Sequence, residues 1–319
     1  MRRIAICSLA FAVMMSEILQ GASASAVEEV RSTLARSGIR PGIDSRRGRY
    51  VFIGSCEREA SDPALDGNFM SLRNDCAKIA ELSARRNLIK ARSVTVAAKD
   101  SGGMAADGDV TVRYMKSVFK AMAADEESGS FVLTSAESWN GKTYQVAVAV
   151  GWSKKAEEKG VLMQAAKLPS GDSVEDDEGW RQWAESVNMA SVIGSRQFLD
   201  KRGNSRYVGV GLADIHGKRG VELKKALRRA QMSAKENLAF AVYSKTISKD
   251  VAVSVLTEME AGNLREEAAW ETFVSRVMRQ CKGRIVRGHE VYSSDEVVHP
   301  ITGRRMYVSV YGIYPDLRK

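Results

Sequence analysis

The sequence has few of the residues that usually carry chemistry. Its 319 residues include 3 histidines, 4 cysteines and 5 prolines. The cysteines form no C-x-x-C pair, which excludes zinc ribbons and thioredoxin-type redox motifs. The chain has neither H-E-x-x-H nor G-x-S-x-G, so the signatures of zinc peptidases and serine hydrolases are also absent. We therefore predict a protein without catalytic residues, metal site or cofactor.

The only long apolar run lies near the N-terminus. Two arginines precede an apolar stretch at 4–15, and the small residues that follow offer overlapping A-x-A sites ending at Ala24 and Ala26. This order is typical of a secretory signal peptide. The run is shorter than the about 20 residues that span a membrane, and Cys7 stands before its middle instead of at a cleavage site. We expect cleavage of residues 1–26 and a periplasmic or secreted mature chain, without lipid or transmembrane segment.

The remaining composition is that of a globular protein. Hydrophobic residues make up 44% and charged residues 27%, and the formal net charge is +9. These values exclude a mainly disordered or fibrous chain. The length allows two domains, each large enough to bury its own core.

Three segments occur twice in the same order. The first reads R-Y-V-x-[IV]-G, the second reads A-x-[LM]-S-A-[RK]-x-N-L, and the third is rich in alternating valines. They start at Arg49 and Arg206, at Ala80 and Ala230, and at Gly141 and Gly303. Matching segments at nearly constant spacing indicate a duplicated unit. The third match predicts that Val146 superposes on Val308.

The two units predict an α+β fold. β-branched and aromatic residues indicate a first strand, and apolar residues three and four positions apart indicate the helix that follows. Further strands are expected at 93–97 and 251–256, then a second helix and a closing hairpin. The prediction is two tandem repeats of a small sheet-plus-helix domain, each ordered strand-helix-strand-helix-hairpin. The predicted boundaries are 1–26 for the signal peptide, 27–152 for unit 1, 153–179 for a linker and 180–319 for unit 2.

The repeated motifs resemble a known group of proteins. The R-Y-V-x-[IV]-G strand, the alanine-striped helix and the closing hairpin of the Y-x-V-x-V type are similar to the lipoprotein-20 family of bacterial envelope proteins. They are also similar to the N-terminal domain of the flagellar assembly protein T. The resemblance implies an exported envelope protein without catalytic residues. The chain lacks the lipobox of the lipoproteins, so the resemblance does not extend to anchoring.

Basic residues cluster on the two long predicted helices. The candidates for an anion-binding surface are Arg85, Arg86, Lys224, Lys225, Arg228 and Arg229. Such a surface would bind a phosphate-bearing surface polymer. The alternative, which we favour, is the solvated side of an amphipathic helix. Because no aromatic cluster is available to stack bases, we expect no specific nucleic-acid binding.

Three cysteines remain after removal of the signal peptide. Cys56 follows the first strand of unit 1, and Cys76 lies early in the helix that packs back on it. A returning helix brings the two close, which makes the pair a candidate disulfide and leaves Cys281 free. The alternative is that Cys76 is buried as a small hydrophobic residue.

Two functions remain open. The first is a non-catalytic envelope protein that binds a partner, either an envelope protein or an anionic surface polymer, or that scaffolds an assembly. The second is an exported hydrolase of a cell-envelope polymer that uses scattered acids such as Asp214 and Glu290. The hydrolase requires paired carboxylates about 5–9 Å apart.

Overall fold

Two antiparallel sheets of the same topology organise the chain. The structure is a computed structural model. It describes residues 25–44, 48–100, 110–124, 130–153, 177–199, 205–217 and 220–313. Each sheet has four strands, in the orders β1-β2-β4-β3 and β5-β6-β8-β7. The α+β fold in two similar sheet units is thereby confirmed.

The strands and helices have the following bounds. The first sheet contains β1 (Gly42–Asp44), β2 (Arg49–Glu59), β3 (Phe131–Trp139) and β4 (Thr143–Ser153). The second contains β5 (Ser195–Leu199), β6 (Ser205–Asp214), β7 (His289–Val298) and β8 (Arg305–Ile313). The helices are α1 (Ala26–Arg36), α2 (Phe69–Asp100), α3 (Val110–Ala123), α4 (Asp177–Ser186), α5 (Gly220–Glu260) and α6 (Glu266–Lys282).

The strands predicted at 93–97 and 251–256 are wrong, because both segments are helical. They form parts of α2 and α5, which have 32 and 41 residues. In α5 the buried residues Ile247, Val251 and Val255 continue the four-residue spacing of the preceding turns. These β-branched side chains of α5 pack on other helices, and this contact overrides their preference for strands.

The same glycine contact joins the long helix to its sheet in both units. A Cβ atom on Gly54 would collide with the backbone of Ala80 and Ala84. A Cβ atom on Gly211 would collide with the backbone of the equivalent residues Ala230 and Ala234. Only glycine on the strand permits this approach, so the repeated motif places α2 and α5 alike on their sheets.

A repeated asparagine adds a polar contact at the same place. Asn87 donates from its side-chain amide to the carbonyl oxygen of Ile53, at 3.0 Å. Asn237 makes the equivalent bond to the carbonyl oxygen of Val210, at 2.8 Å. The two bonds fix the register of helix on strand in each unit.

The predicted superposition of Val146 on Val308 is wrong by one residue. Cys56 pairs with Val146, whereas its counterpart Ala213 pairs with Tyr307. Since neighbouring residues of a strand face opposite sides, a shift of one residue changes the face. The valines of β4 face α2, but Val308 packs with the tryptophans of α4 on the other side of its sheet.

The two units share one helical core, which the prediction of separate cores did not include. Helices α2 and α3 of unit 1 and α5 and α6 of unit 2 meet around a cluster that includes Leu82, Phe119, Phe240, Val255 and Phe273. The predicted signal peptide lies outside the described residues except at its end, and so does most of the predicted linker. Among the described helices, none is long and apolar enough to cross a membrane.

Candidate functional site

A buried network of charged and polar side chains lies where the two units meet. We call it the ion network; it consists of Arg73 of α2, Glu137 of β3, Tyr144 of β4 and His299 of the turn between β7 and β8. Arg73 and Glu137 form a bidentate pair, with Nε to Oε2 at 2.9 Å and Nη2 to Oε1 at 3.0 Å. Tyr144 donates its hydroxyl to the same carboxylate. The Glu137 carboxylate thus brings together side chains from α2, from β4 and from the turn between β7 and β8.

The ion network connects unit 1 directly to unit 2. The Nη2 of Arg73 also donates to the carbonyl oxygen of Ala190, at 2.8 Å. His299 belongs to unit 2, and its Nε2 lies 3.4 Å from Oε1 of Glu137. The relative exposures of the Arg73 and Glu137 side chains are 1% and 4%. The network therefore fixes one unit against the other inside the protein.

The position of the His299 proton follows from its neighbours. Its Nδ1 accepts from the backbone N–H groups of Ile301 and Thr302, both at 3.3 Å. An acceptor nitrogen carries no proton, so the neutral ring has its proton on Nε2, which is the nitrogen facing Glu137. The turn also places the ring edge-on to Phe69.

The charges in the network determine its titration. Burial alone would raise the pKa of Glu137, but the charge of Arg73 and the hydrogen bonds from His299 and Arg73 lower it to about 2. Burial, followed by the charge of Glu137, raises the pKa of Tyr144. Glu137 is therefore ionised and Tyr144 is protonated at neutral pH.

A second buried ionic cluster lies along the same contact. Arg85 pairs with Glu81 one turn earlier on α2, and it donates to Ser244 of α5 at 3.0 Å. Arg196 of β5 donates to Ser135 of β3 at 2.7 Å, which joins the two sheets. Burial lowers the pKa of Arg196 to about 10, so the side chain keeps its charge at pH 7.

An open cleft lies beside the ion network. It has a volume of about 450 Å³, and its walls come from α1, from β3 and from the turn between β7 and β8. The lining residues are Glu28, Glu29, Ser32, Glu137, Ser138, Trp139, Pro300 and Ile301. Glu28 is paired with Arg31 at 2.8 Å. The cleft has an acidic wall and an apolar wall, and both units contribute to it.

The structure separates the predicted anion-binding residues into two groups. Arg85 is 3% exposed and paired, and Arg86 stacks on the ring of Trp270 with its guanidinium carbon 4.4 Å from the ring centre. The prediction that these two contribute to a charged surface is wrong, because they lie in the contact between the units. The other four residues, Lys224, Lys225, Arg228 and Arg229, are exposed on α5.

The two candidate disulfide cysteines lie side by side. Cys56 and Cys76 are buried in the same cluster, and their thiols are hydrogen-bonded without a disulfide. The contact with Cys56, followed by burial, raises the pKa of Cys76. Cys281 is also a free thiol, and burial raises its pKa to about 11.

The acids suggested for a hydrolase lie far apart. Asp214 pairs with Arg304 at 3.1 Å, and Glu290 accepts from Ser309. Asp214 lies opposite Met306 of β8 and Glu290 lies opposite Tyr311, which places them about 16 Å apart along the strand and on opposite faces. These two acids do not form the required pair. The described residues contain no group of three His, Cys, Asp or Glu side chains that could hold a metal ion.

The ion network has no signature in the sequence. Its members are 64 or more residues apart, apart from Glu137 and Tyr144, and no local pattern links them. His299 is fully buried, which is uncommon for a histidine. The one local signal is the His-Pro pair at a turn, which predicts the turn and not the burial.

Comparisons with known proteins support the fold. No model of a known protein family matches the chain, and no curated protein matches it. The chain is similar to the crystal structure of the hypothetical protein FTT1539c from Francisella tularensis. The similarity covers 93% of each chain at 14% sequence identity, with a TM-score of 0.54. It therefore extends over both units and concerns the fold alone.

Proposed function

We propose that the chain is an exported, non-catalytic envelope protein whose two repeat units form one platform that binds a partner or organises an assembly. The observation that carries this proposal is the buried ion network between the units. It holds the units in one relative orientation, and a fixed orientation is what a binding platform requires.

The environment of Glu137 argues for a structural role. A general acid or base must reach its substrate within hydrogen-bonding distance. Glu137 is 4% exposed, and both its oxygens are engaged by Arg73. A shifted pKa with a complete set of internal partners is typical of a structural ion pair.

Export and envelope location are supported by the sequence. Residues 1–26 have the order of a signal peptide, and the repeated motifs resemble exported envelope proteins. We propose a periplasmic or secreted mature protein. Its partner would be an envelope protein or an anionic surface polymer.

A hydrolase remains the alternative, and the cleft is the observation in its favour. Glu28 and Glu29 line a concave surface together with Trp139, which is an arrangement able to take up part of a polymer. In this alternative Glu29 is the residue to test, since Glu28 is paired with Arg31.

The experiment compares the two functions in one preparation. The full chain with a C-terminal tag is expressed in bacteria, the cells are fractionated, and a photoreactive residue replaces Ser32 in the cleft or, as a reference, exposed Glu260. We expect recovery outside the cytoplasm and reciprocal capture of an identified partner. Purified protein is also incubated with insoluble peptidoglycan. Release of soluble fragments that is lost in Glu29→Gln but kept in Glu59→Gln would contradict the proposal and favour the hydrolase.

A further inference from the structure

One face of α5 is exposed although its counterpart in unit 1 is an interface. The glycine contacts put Ala80 and Ala84 in register with Ala230 and Ala234, which fixes the equivalence of the two helices at 150 residues. Each residue of α2 from Met70 onward can therefore be compared with one residue of α5. Comparing equivalent residues shows which face is buried against the other unit on α2 but exposed on α5.

On α2 this face is covered by unit 2. Asn74 donates to Ser233 at 2.8 Å, and the ammonium of Lys78 lies 6.0 Å from the ring centre of Phe240. Leu82 lies one turn after Lys78 on the same side of the helix and is 1% exposed. It belongs to the helical core that both units share.

On α5 the equivalent positions are uncovered. Lys224, Arg228 and Met232 correspond to Asn74, Lys78 and Leu82, and Met232 is 63% exposed. Val221, which lies on the same side of the helix, is 62% exposed. Terminal units of repeat proteins normally carry a polar outer face. An exposed methionine at the position of a core leucine is instead typical of a surface that binds another protein.

We infer that this open face of α5, formed by Val221, Lys224, Lys225, Arg228, Arg229 and Met232, is the docking surface for a partner protein that presents an acidic patch around an apolar contact. The inference rests on the proposed binding function and names the surface and the chemistry of the partner.

The positive charge of the open face determines the sign of the charge that the partner's surface must carry. All four of its basic residues are exposed. Lys225 is paired with Glu222 at 3.0 Å, and within the described part of the chain no carboxylate pairs with Lys224, Arg228 or Arg229. Cations that flank apolar side chains along one side of a helix select a partner surface of opposite charge and disfavour a surface of like charge.

A second copy of the chain does not fit this surface. One residue of unit 2 that meets α2 is Phe240, and its counterpart in unit 1 is Lys90, which is exposed. A second copy would therefore place a lysine against the cations of the open face. This repulsion makes self-association through equivalent faces unfavourable.

Photo-crosslinking in cells that express the full chain tests the inference. Benzoylphenylalanine replaces Met232, or as a matched control Val253, which is 49% exposed on the same helix. We expect an adduct with one identified protein from position 232 only, with the crosslinked peptide rich in Asp and Glu. In Arg228→Glu/Arg229→Glu the adduct should fall at least about fivefold, whereas Lys249→Glu should leave it unchanged.

Each other outcome has a defined meaning. Absence of an adduct at 232, or an adduct that survives the charge reversal, overturns the inference. Purified protein that binds phosphatidylglycerol vesicles, but not phosphatidylcholine vesicles, through Arg228 and Arg229 would assign the face to a membrane and also overturn it. An adduct from position 32 in the cleft but none from position 232 would refute this inference while leaving the proposed binding function intact.

Discussion

Replacing Glu137 with glutamine should lower stability by about 3 kcal/mol at pH 7. The pKa of Glu137 is lowered from its ordinary value of 4.5 to about 2 in the folded protein. At 1.4 kcal/mol for each tenfold change, this difference corresponds to about 3 kcal/mol. The value agrees with the 3–5 kcal/mol that is typical when one partner of a buried ion pair is removed.

The pH dependence has a definite sign. A carboxyl group whose pKa is lower in the folded state stabilises the protein above the pKa of the unfolded state, here about 4.5. That stabilisation is lost as the pH falls from about 4.5 toward about 2. At pH 3 about 1.4 kcal/mol of the difference between the native protein and Glu137→Gln should remain.

The assay is urea-induced unfolding of both proteins at pH 7, 4.5 and 3, followed by circular dichroism and tryptophan fluorescence. Glu59→Gln is the matched control, because Glu59 is 82% exposed and lies 3.6 Å from Lys142. The control should change stability by less than about 1 kcal/mol. A loss below 1 kcal/mol in Glu137→Gln at pH 7, or a loss that does not shrink at low pH, would refute the reasoning.

Three further predictions concern the repeat, the cysteines and the N-terminus. Gly54→Ala and Gly211→Ala should each lower the free energy of unfolding by about 1–3 kcal/mol in urea, because a Cβ atom has no space there; a loss in one unit alone would contradict the shared contact. In exported protein, denatured without reductant, we expect one reactive thiol, because Cys56 and Cys76 are in contact and a bridge between them would add about 3 kcal/mol; three thiols would exclude the bridge. Intact mass should place the mature N-terminus at Ser25, because its side chain caps α1, and a later start would contradict this.

The contacts of α1 favour the A-x-A site that ends at Ala24 over the cleavage after residue 26 that we expected from the sequence. Both A-x-A sites satisfy the pattern equally. In the structure Ala26 is fully buried, and its backbone N–H donates to Ser138 at 3.0 Å. Cleavage after Ala24 would keep this contact, whereas cleavage after Ala26 would remove it.

Much of the fold could be predicted because its signals are local. The strand that begins at Arg49 and the helix stripe around Ala84 both recur at the expected spacing, and their contact is the same in both units. The end of α2 and the register of β8 could not be predicted in the same way. The helix continues through a segment whose β-branched residues favour a strand, and the register of β8 depends on pairing with β6, which is distant in sequence.

The candidate site was harder to predict because it depends on how the units meet. Arg73 is one of several arginines on a helix, and nothing near it in the sequence distinguishes it. It becomes important only because Glu137, Ala190 and His299 come from three other segments. A buried charge of this kind is recognised from the residues that it contacts, and those residues are known only once the structure is known.

The wrong assignment of Arg85 and Arg86 to an anion-binding surface follows from the way in which the two repeat units pack. Two units packed side by side use different faces for their contact, so equivalent residues acquire different environments. Arg85 is buried against Ser244, while its counterpart Lys235 is exposed. A prediction that treats α2 and α5 as equivalent therefore assigns one surface to basic residues that lie between the units on α2 but are exposed on α5. The divergence between copies is itself informative, because Met232 stays apolar at a position that the fold leaves uncovered, and the proposed docking surface is built on this observation.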